Sequence, residues 1–261
     1  MNLRIGLIQM ICEKGALEQN LALTLEHIEA AARAGVDIIA FPEASLTGYI
    51  DPAGYPDAVL GLESPTVQRL IEGTRGSAVT VLTGIVEASS APAGKPYLTH
   101  LVIRDGALLG TYRKMTLPED EDWYAIGNQV PVFSHNDVIF GIAICADITN
   151  DEVFARAAQQ GASLVFELAA PGLYGEQATR NWRSGFEWWR GECDQHLSAH
   201  ARRHGLWIAV ATQAGRTIDE DFPGGAYVFA PDGSKRFETP NWSPGAVYVE
   251  IGGVEAVGAG N

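Results

Sequence analysis

Three segments of the sequence each place a reactive side chain directly after an apolar, strand-like run. The three are Glu43 after residues 36–41, Lys114 after residues 107–112, and Cys145 after residues 137–144. Because open α/β sheets hold their ligands beyond the C-terminal ends of their strands, we expect these side chains to meet in one crevice. There a carboxylate can accept the thiol proton, an ammonium can stabilise an oxyanion, and the thiolate can attack a carbonyl carbon. The pattern therefore indicates nucleophilic acyl transfer.

The predicted strands and helices around these groups occur in two similar halves. In the first, a strand at residues 3–9 is followed by apolar residues at helical spacing from Leu17 to Ala32, and then by a strand at 36–41. The second half repeats this order, with a strand at 137–144, a helix over about 150–160 and a strand at 163–166. Two such βαβ halves predict an α/β fold in which two sheets pack together with helices outside, an α-β-β-α sandwich of four layers.

The rest of the chain extends these halves. Strands are predicted at 98–104 and 107–112, joined by an Asp105-Gly106 hairpin turn, and a long polar helix is predicted over about 179–203. We find no interdomain linker, so we expect a single domain over residues 1–251. The Gly- and Ala-rich segment 252–261 is expected to be a flexible C-terminal tail.

Composition excludes several classes of function. The 261 residues include 18 basic and 32 acidic side chains, a net charge of −14, which argues against binding to nucleic acid. The apolar stretches are too short to cross a membrane, and the N-terminus lacks the pattern of a signal peptide, so we expect a cytoplasmic protein. The three cysteines, Cys12, Cys145 and Cys193, have no spacing typical of a disulfide framework or a metal motif.

Taken together, the three blocks resemble the nitrilase superfamily of carbon-nitrogen hydrolases, which uses a Glu-Lys-Cys catalytic set and has a four-layer α-β-β-α fold. The resemblance extends in order along almost the whole chain. It implies that Glu43 is the general base, Lys114 the oxyanion-binding lysine and Cys145 the nucleophile. The backbone N–H of Ala146 would be a second oxyanion donor.

The superfamily pattern also includes a second glutamate near the lysine, for which Glu119 and Glu121 compete. The spacing Glu121-x-Trp123-Tyr124, followed by Gly-Asn, resembles bacterial aliphatic amidases, and we therefore assign Glu121. Thr116 departs from the pattern, because family members often have histidine two residues after the lysine. The departure weakens inferences about the substrate more than those about the mechanism.

The resemblance implies an amidase that hydrolyses small aliphatic amides to a carboxylic acid and ammonia through a cysteine thioester. The alternatives within the superfamily are a nitrilase and a hydrolase of N-carbamoyl compounds or ω-amides. The chemistry requires no metal or organic cofactor. We expect a homodimer or larger homo-oligomer, with residues 174–189 as the contact zone. The aromatic candidates for binding the substrate are Tyr49, Trp123, Tyr124 and Tyr174.

Three other interpretations compete with this one. His196, His200 and His204 share one helical face and are candidate metal ligands, although a polar helix face is the expected interpretation. A papain-like Cys-His pair would need a histidine beside Cys145, and the sequence shows no local signature for one. A catalytically idle binding protein on the same fold is disfavoured because Glu43, Lys114 and Cys145 are all present.

Overall fold

The computed structural model describes residues 2–119, 121–240 and 242–252. Most of the predicted tail, residues 253–261, lies outside these ranges. Within them the chain forms two six-stranded sheets, a small two-stranded sheet and four α-helices. The helices are α1 (Leu17–Arg33), α2 (Pro65–Gly73), α3 (Asp151–Gln159) and α4 (Trp182–His204).

The first sheet has the strand order β14-β1-β2-β3-β4-β5. Its strands are β1 (Leu3–Gln9), β2 (Ile38–Ala40), β3 (Thr80–Glu87), β4 (Tyr97–Arg104), β5 (Ala107–Arg113) and β14 (Gly245–Ile251). β2 pairs in parallel with both β1 and β3, as the predicted βαβ unit requires. β4 and β5 form the predicted hairpin, whose turn residues Asp105 and Gly106 have φ angles of 49° and 72°. Positive φ at both positions matches the twist of the two strands.

The second sheet has the order β13-β12-β9-β8-β7-β6. Its strands are β6 (Phe133–His135), β7 (Val138–Ile144), β8 (Leu164–Ala169), β9 (Trp207–Thr212), β12 (Ala226–Phe229) and β13 (Lys235–Glu238). β8 pairs in parallel with both β7 and β9. The small sheet consists of β10 (Ala214–Arg216) and β11 (Asp221–Pro223).

The two large sheets pack face to face. Alternate residues of β2 pack on opposite faces of the first sheet. Ile38 and Ala40 belong to the core between the sheets, whereas Ile39 packs with α1 and α2. On the far side, α3 and α4 cover the second sheet through buried residues such as Phe154 and Leu197. The chain therefore has the predicted α-β-β-α fold.

Helix α4 begins three residues later than the polar pattern predicts. The Asn181 side chain caps it by accepting hydrogen bonds from the backbone N–H groups of Arg183 and Ser184. Gly205, at φ 67°, ends it. No helix in the described ranges has an apolar stretch long enough to span a bilayer.

Candidate active site

Glu43, Lys114 and Cys145 are brought to one place by the strands that precede them. β2 ends three residues before Glu43, β5 ends directly before Lys114, and β7 ends directly before Cys145. Glu43 and Lys114 are 1% and 0% exposed. The charges of both residues shift the pKa of the Cys145 thiol. The structure thus brings the three groups together at these strand ends.

The Lys114 ammonium lies between two carboxylates. Its Nζ is 2.9 Å from Glu43 Oε1, 2.9 Å from Glu121 Oε2 and 3.1 Å from Glu121 Oε1. Burial by itself lowers the pKa of Lys114, but the negative charges around it outweigh burial and raise the pKa. Lys114 is therefore held as a cation, and the two carboxylates fix the position of its ammonium group.

The Glu43 carboxylate receives hydrogen bonds from both sheets. Oε1 accepts from Lys114, and Oε2 accepts from the backbone N–H of Ala170 at 3.1 Å, just beyond the end of β8. Burial raises the pKa of Glu43 to about 7, although the Lys114 charge opposes this shift. A carboxylate with this pKa can take up and release a proton near neutral pH.

The turn that carries Glu43 is held tightly against β3. Ala44 has φ 49°, and its backbone nitrogen would lie only 2.3 Å from a Cβ built on Gly84. Ser45 Oγ accepts a hydrogen bond from the Gly84 N–H, and the Leu46 N–H donates to the Gly84 carbonyl. Glycine at position 84 thus permits the close approach that orients Glu43.

Cys145 lies at a strained turn between β7 and a short 3₁₀ helix, Cys145–Thr149. Its φ of 48° is a left-handed conformation that non-glycine residues adopt at a cost of about 1–3 kcal/mol, and such residues cluster at active sites. Burial, followed by the charge of Glu43, raises the pKa of the thiol. Ala146 is the second residue of the 3₁₀ helix, so the hydrogen-bonding pattern of the helix leaves its N–H unused.

Asp147 ties the lysine segment to the cysteine turn, a role that the sequence analysis did not assign. Its buried carboxylate accepts hydrogen bonds from the Tyr112 hydroxyl at 2.6 Å, the Met115 N–H at 3.1 Å and the Ile144 N–H at 3.0 Å. Tyr112 and Met115 lie on either side of Lys114 in the chain, and Ile144 directly precedes Cys145. The spacing Cys145-x-Asp147 at a strand end was the signal available in the sequence.

Of the two competing glutamates, the structure places Glu121 at the site and leaves Glu119 exposed. Glu121 is 6% exposed and also accepts a hydrogen bond from the Tyr49 hydroxyl. Tyr49 and Trp123 line a cavity of about 380 Å³, together with Lys14, Ile50, Asp51, Asp219 and Glu220. Tyr49 thus lines this cavity and also contacts Glu121, one of the two carboxylates bonded to Lys114.

The other two aromatic candidates lie differently. Tyr124 is 2% exposed, and its hydroxyl donates to the Ile50 carbonyl while its ring lies 6.4 Å from that of Tyr49. Tyr174 is 86% exposed and lines a separate cavity of about 350 Å³ with residues that include Trp188. That lining contains neither Cys145 nor the groups bonded to Lys114.

Glu167 is a second buried acid near the nucleophile that sequence reasoning missed. It lies on β8, opposite Ala143 of β7, and is 0% exposed. Burial, then the charges of Asp147 and Glu43, raise its pKa well above the usual range of a carboxyl group. A charged residue in an apolar strand was the available signal.

The histidines make contacts other than a pair with Cys145. His135 shares a hydrogen bond of 2.8 Å with Thr80, and His200 and His204 contact Asp151. His100 is buried on β4, and burial lowers its pKa to about 3. The groups whose charges perturb Cys145 are Glu43, Lys114, Glu121 and Glu167, which favours the Glu-Lys-Cys interpretation over a Cys-His pair.

Comparison with known proteins identifies the family of this chain. A sequence model of the carbon-nitrogen hydrolase family matches residues 4–256. The chain belongs to the carbon-nitrogen hydrolase family. Solved structures similar to this hydrolase include an amidase of the nitrilase superfamily from Nesterenkonia AN1, with a TM-score of 0.78 and 23% identity, covering 95% of this chain and 90% of that one.

Curated relatives of this carbon-nitrogen hydrolase carry two kinds of name. The glutamine-dependent NAD(+) synthetase of Thermotoga maritima is 27% identical over 244 residues, which are 88% of this chain and 39% of the synthetase. An (R)-stereoselective amidase of a Pseudomonas species is 28% identical over 164 residues, 62% of this chain and 58% of the amidase. The chain therefore spans about two fifths of the synthetase's length.

Proposed function

We propose that this carbon-nitrogen hydrolase is an amidase that converts small aliphatic amides to carboxylic acids and ammonia through a thioester on Cys145. The observation that carries the proposal is the buried group formed by Glu43, Lys114 and Glu121 beside a cysteine at a strained turn. This arrangement supplies a proton acceptor, a fixed cation and a nucleophile to one carbonyl.

In the first half of the reaction, Glu43 accepts the Cys145 proton as Sγ bonds to the amide carbon. The raised pKa of the thiol means that Cys145 rests protonated, so a base is required to form the thiolate. The carbonyl oxygen becomes an oxyanion, stabilised by the Lys114 ammonium and the Ala146 N–H. Glu43 then gives its proton to the amide nitrogen, the C–N bond breaks and ammonia leaves.

In the second half, water hydrolyses the thioester. Glu43, again a carboxylate, accepts a proton from water as the water oxygen adds to the carbonyl carbon. The tetrahedral intermediate collapses, the C–S bond breaks and the proton returns to Sγ. The products are the carboxylic acid and free Cys145, so the cycle consumes one amide and one water. Glu121 holds Lys114 in position through its two hydrogen bonds to Nζ.

A second substrate class is the side-chain amide of glutamine, which the names of the synthetase relatives raise. The Tyr49–Trp123 cavity supports it, because the Asp51 carboxylate on its wall can pair with the ammonium of an amino acid. Lys14, on the same wall, lies 2.9 Å from both Asp219 and Glu220. A short neutral amide makes no use of these charges.

The experiment that tests the proposal measures ammonia release from a panel of compounds. It compares propionamide, glutamine, propionitrile and N-carbamoylalanine, with Cys145→Ala protein as the blank. We expect propionamide to have the highest kcat/KM. Preference for glutamine would favour the second class, whereas equal rates on the carbamoyl compound would contradict the assignment to simple amides.

We also propose that the protein is a homo-oligomer that associates through residues 174–189. Two large aromatic side chains in this zone are exposed, Tyr174 at 86% and Trp188 at 40%, and their rings lie 6.3 Å apart. Exposed aromatic residues are enriched at interfaces between protein subunits. Light scattering should give at least twice the 28.0 kDa chain mass, and Trp188→Glu should lower that mass.

A further inference from the structure

A cluster of possible metal ligands lies on the outer side of the second sheet. It consists of Asp151, His200 and His204, which we call the Asp151 cluster. Asp151 is the first residue of α3, and the two histidines are one turn apart near the end of α4. Their ligand atoms all lie within 4.8 Å of one another. His200 Nδ1 is 3.1 Å and His204 Nε2 2.8 Å from the same oxygen, Asp151 Oδ1.

The hydrogen bonds of His200 determine which ring nitrogen carries its proton. Its Nε2 lies 2.9 Å from the Ile148 carbonyl, which can only accept, so Nε2 carries a hydrogen. The other ring nitrogen, Nδ1, faces the carboxylate oxygen of Asp151, 3.1 Å away, and is the nitrogen left for a metal ion. The ring is 6% exposed and stacks on Phe154, which fixes its direction.

We propose that the Asp151 cluster binds one divalent transition-metal ion, with Zn²⁺ as the best match. The ligands are His200 Nδ1, His204 Nε2 and the Asp151 carboxylate, with water completing the coordination. Imidazole and carboxylate donors at about 2.0–2.2 Å from a tetrahedral zinc lie about 3.4 Å apart. The two His–Asp separations are within about 0.6 Å of that value.

A second feature of the site agrees with metal binding. Histidines that ligate a metal usually donate their other ring N–H to a carboxylate or a backbone carbonyl, which fixes the ring. His200 makes this bond to Ile148. Histidines four residues apart on a helix, as His200 and His204 are, can direct both rings at one ion.

Arg203 competes with the ion for Asp151. Its Nη1 lies 2.7 Å from Asp151 Oδ1, and its side chain is 60% exposed. Exposed ion pairs of this kind contribute little to stability, so an incoming divalent ion can displace the guanidinium into solvent. Removal of Arg203 should therefore strengthen metal binding, the opposite of removing a ligand.

The ion would act on stability and not on the proposed acyl transfer. Ile148 belongs to the 3₁₀ helix that begins at Cys145, and Asp151 begins α3 directly behind it. An ion at the Asp151 cluster joins this segment to α4 through three ligands. Such an ion would therefore stabilise the turn that carries Cys145, on the side that faces away from the first sheet.

The test is calorimetric titration of chelator-treated, tag-free protein with ZnCl₂. The Cys145→Ala background removes the active-site thiol as an alternative ligand. We expect one Zn²⁺ per chain, weaker binding by about tenfold or more in His204→Gln, and stronger binding in Arg203→Gln. His196→Gln is the matched control, because His196 lies on the same helix but faces Glu192 at 3.6 Å. Its affinity should equal that of the parent protein.

Several outcomes would overturn the proposal. One is the absence of a stoichiometric heat of Zn²⁺ binding, and another is equal affinity in the parent and His204→Gln proteins. A His200 ring that is doubly protonated in the presence of Zn²⁺, seen by ¹⁵N NMR, would show that His200 does not coordinate the ion. Circular dichroism of each variant establishes that it is folded, so a failure to bind is not a failure to fold.

Discussion

Glu43 and Lys114, 71 residues apart in the chain, form an ion pair of 2.9 Å that is almost wholly buried between the two sheets. A buried charge that loses its partner is costly, so each residue constrains the other. Because Glu121 holds the same ammonium, Lys114 has little freedom to move away from Glu43. The pair therefore fixes both the proton acceptor and the positive charge before a substrate arrives.

Lys114→Met should nearly abolish turnover. Loss of one oxyanion donor costs about 3–4 kcal/mol, or about 10²–10³ in kcat. The Lys114 charge also lowers the pKa of Glu43, so its removal should move the acidic limb of the kcat/KM profile to a pH above about 7. Steady-state kinetics as a function of pH measure both effects.

Lys95→Ala, at an exposed lysine, is the control and should match the wild type. A Lys114→Met enzyme with an unchanged acidic limb would show that Glu43 is not the titrating base. An enzyme with unchanged kcat would show that Lys114 does not stabilise the oxyanion.

Tyr49→Phe tests the contact between the cavity and Glu121. The substitution removes one donor to a carboxylate, a hydrogen bond that typically contributes about 1.5–3 kcal/mol. We expect kcat to fall about tenfold or more, since Glu121 then orients Lys114 less firmly. Tyr55→Phe, at a partly buried tyrosine, should leave kcat unchanged. A change in KM alone would place Tyr49 in substrate binding and not in positioning.

The convergence of Glu43, Lys114 and Cys145 could be predicted from the sequence because each follows an apolar strand, and strand order decides where strand ends meet. The hairpin at Asp105-Gly106 could be predicted because its chemistry is local. Helix α2 was missed, although Ser64-Pro65 before Val67, Leu70 and Ile71 is a recognisable helix start.

Other parts of the site depend on tertiary packing that no local pattern encodes. The Ala170 N–H reaches Glu43 across 127 residues, and three-residue strands such as β6 and β10 are too short to show periodicity. The helical histidines show the same limit. Spacing placed His196, His200 and His204 on one face, but only the packing of α3 brings Asp151 to two of them.

Glu167→Gln should stabilise the protein in a pH-dependent way. The folded pKa of Glu167 is raised by burial, so folding favours its protonated form and stability falls as pH rises above about 4.5. Over that range the free energy of unfolding of the wild type should fall by about 1.4 kcal/mol per pH unit because of this group, until the folded pKa is reached. The Glu167→Gln variant has no titratable group at this position, so its stability should not fall with pH for this reason.

Urea unfolding at pH 5 and pH 8 measures the difference. The variant should be the more stable protein at pH 8, with a smaller gap at pH 5. A variant that is less stable than the wild type at pH 8 would mean that the Glu167 carboxylate is charged and compensated in the folded state.

The activation of Cys145 by Glu43 is best tested by the rate at which iodoacetamide alkylates Cys145 as a function of pH, followed by peptide mapping in wild type and Glu43→Gln. Cys12 and Cys193 are fully buried, so the label should appear on Cys145. We predict that the wild-type rate rises through pH of about 7, where Glu43 ionises, and that Glu43→Gln reacts about a hundredfold more slowly at neutral pH. Identical rate profiles in the two proteins, or equal labelling of all three cysteines, would contradict the claim that Glu43 activates Cys145.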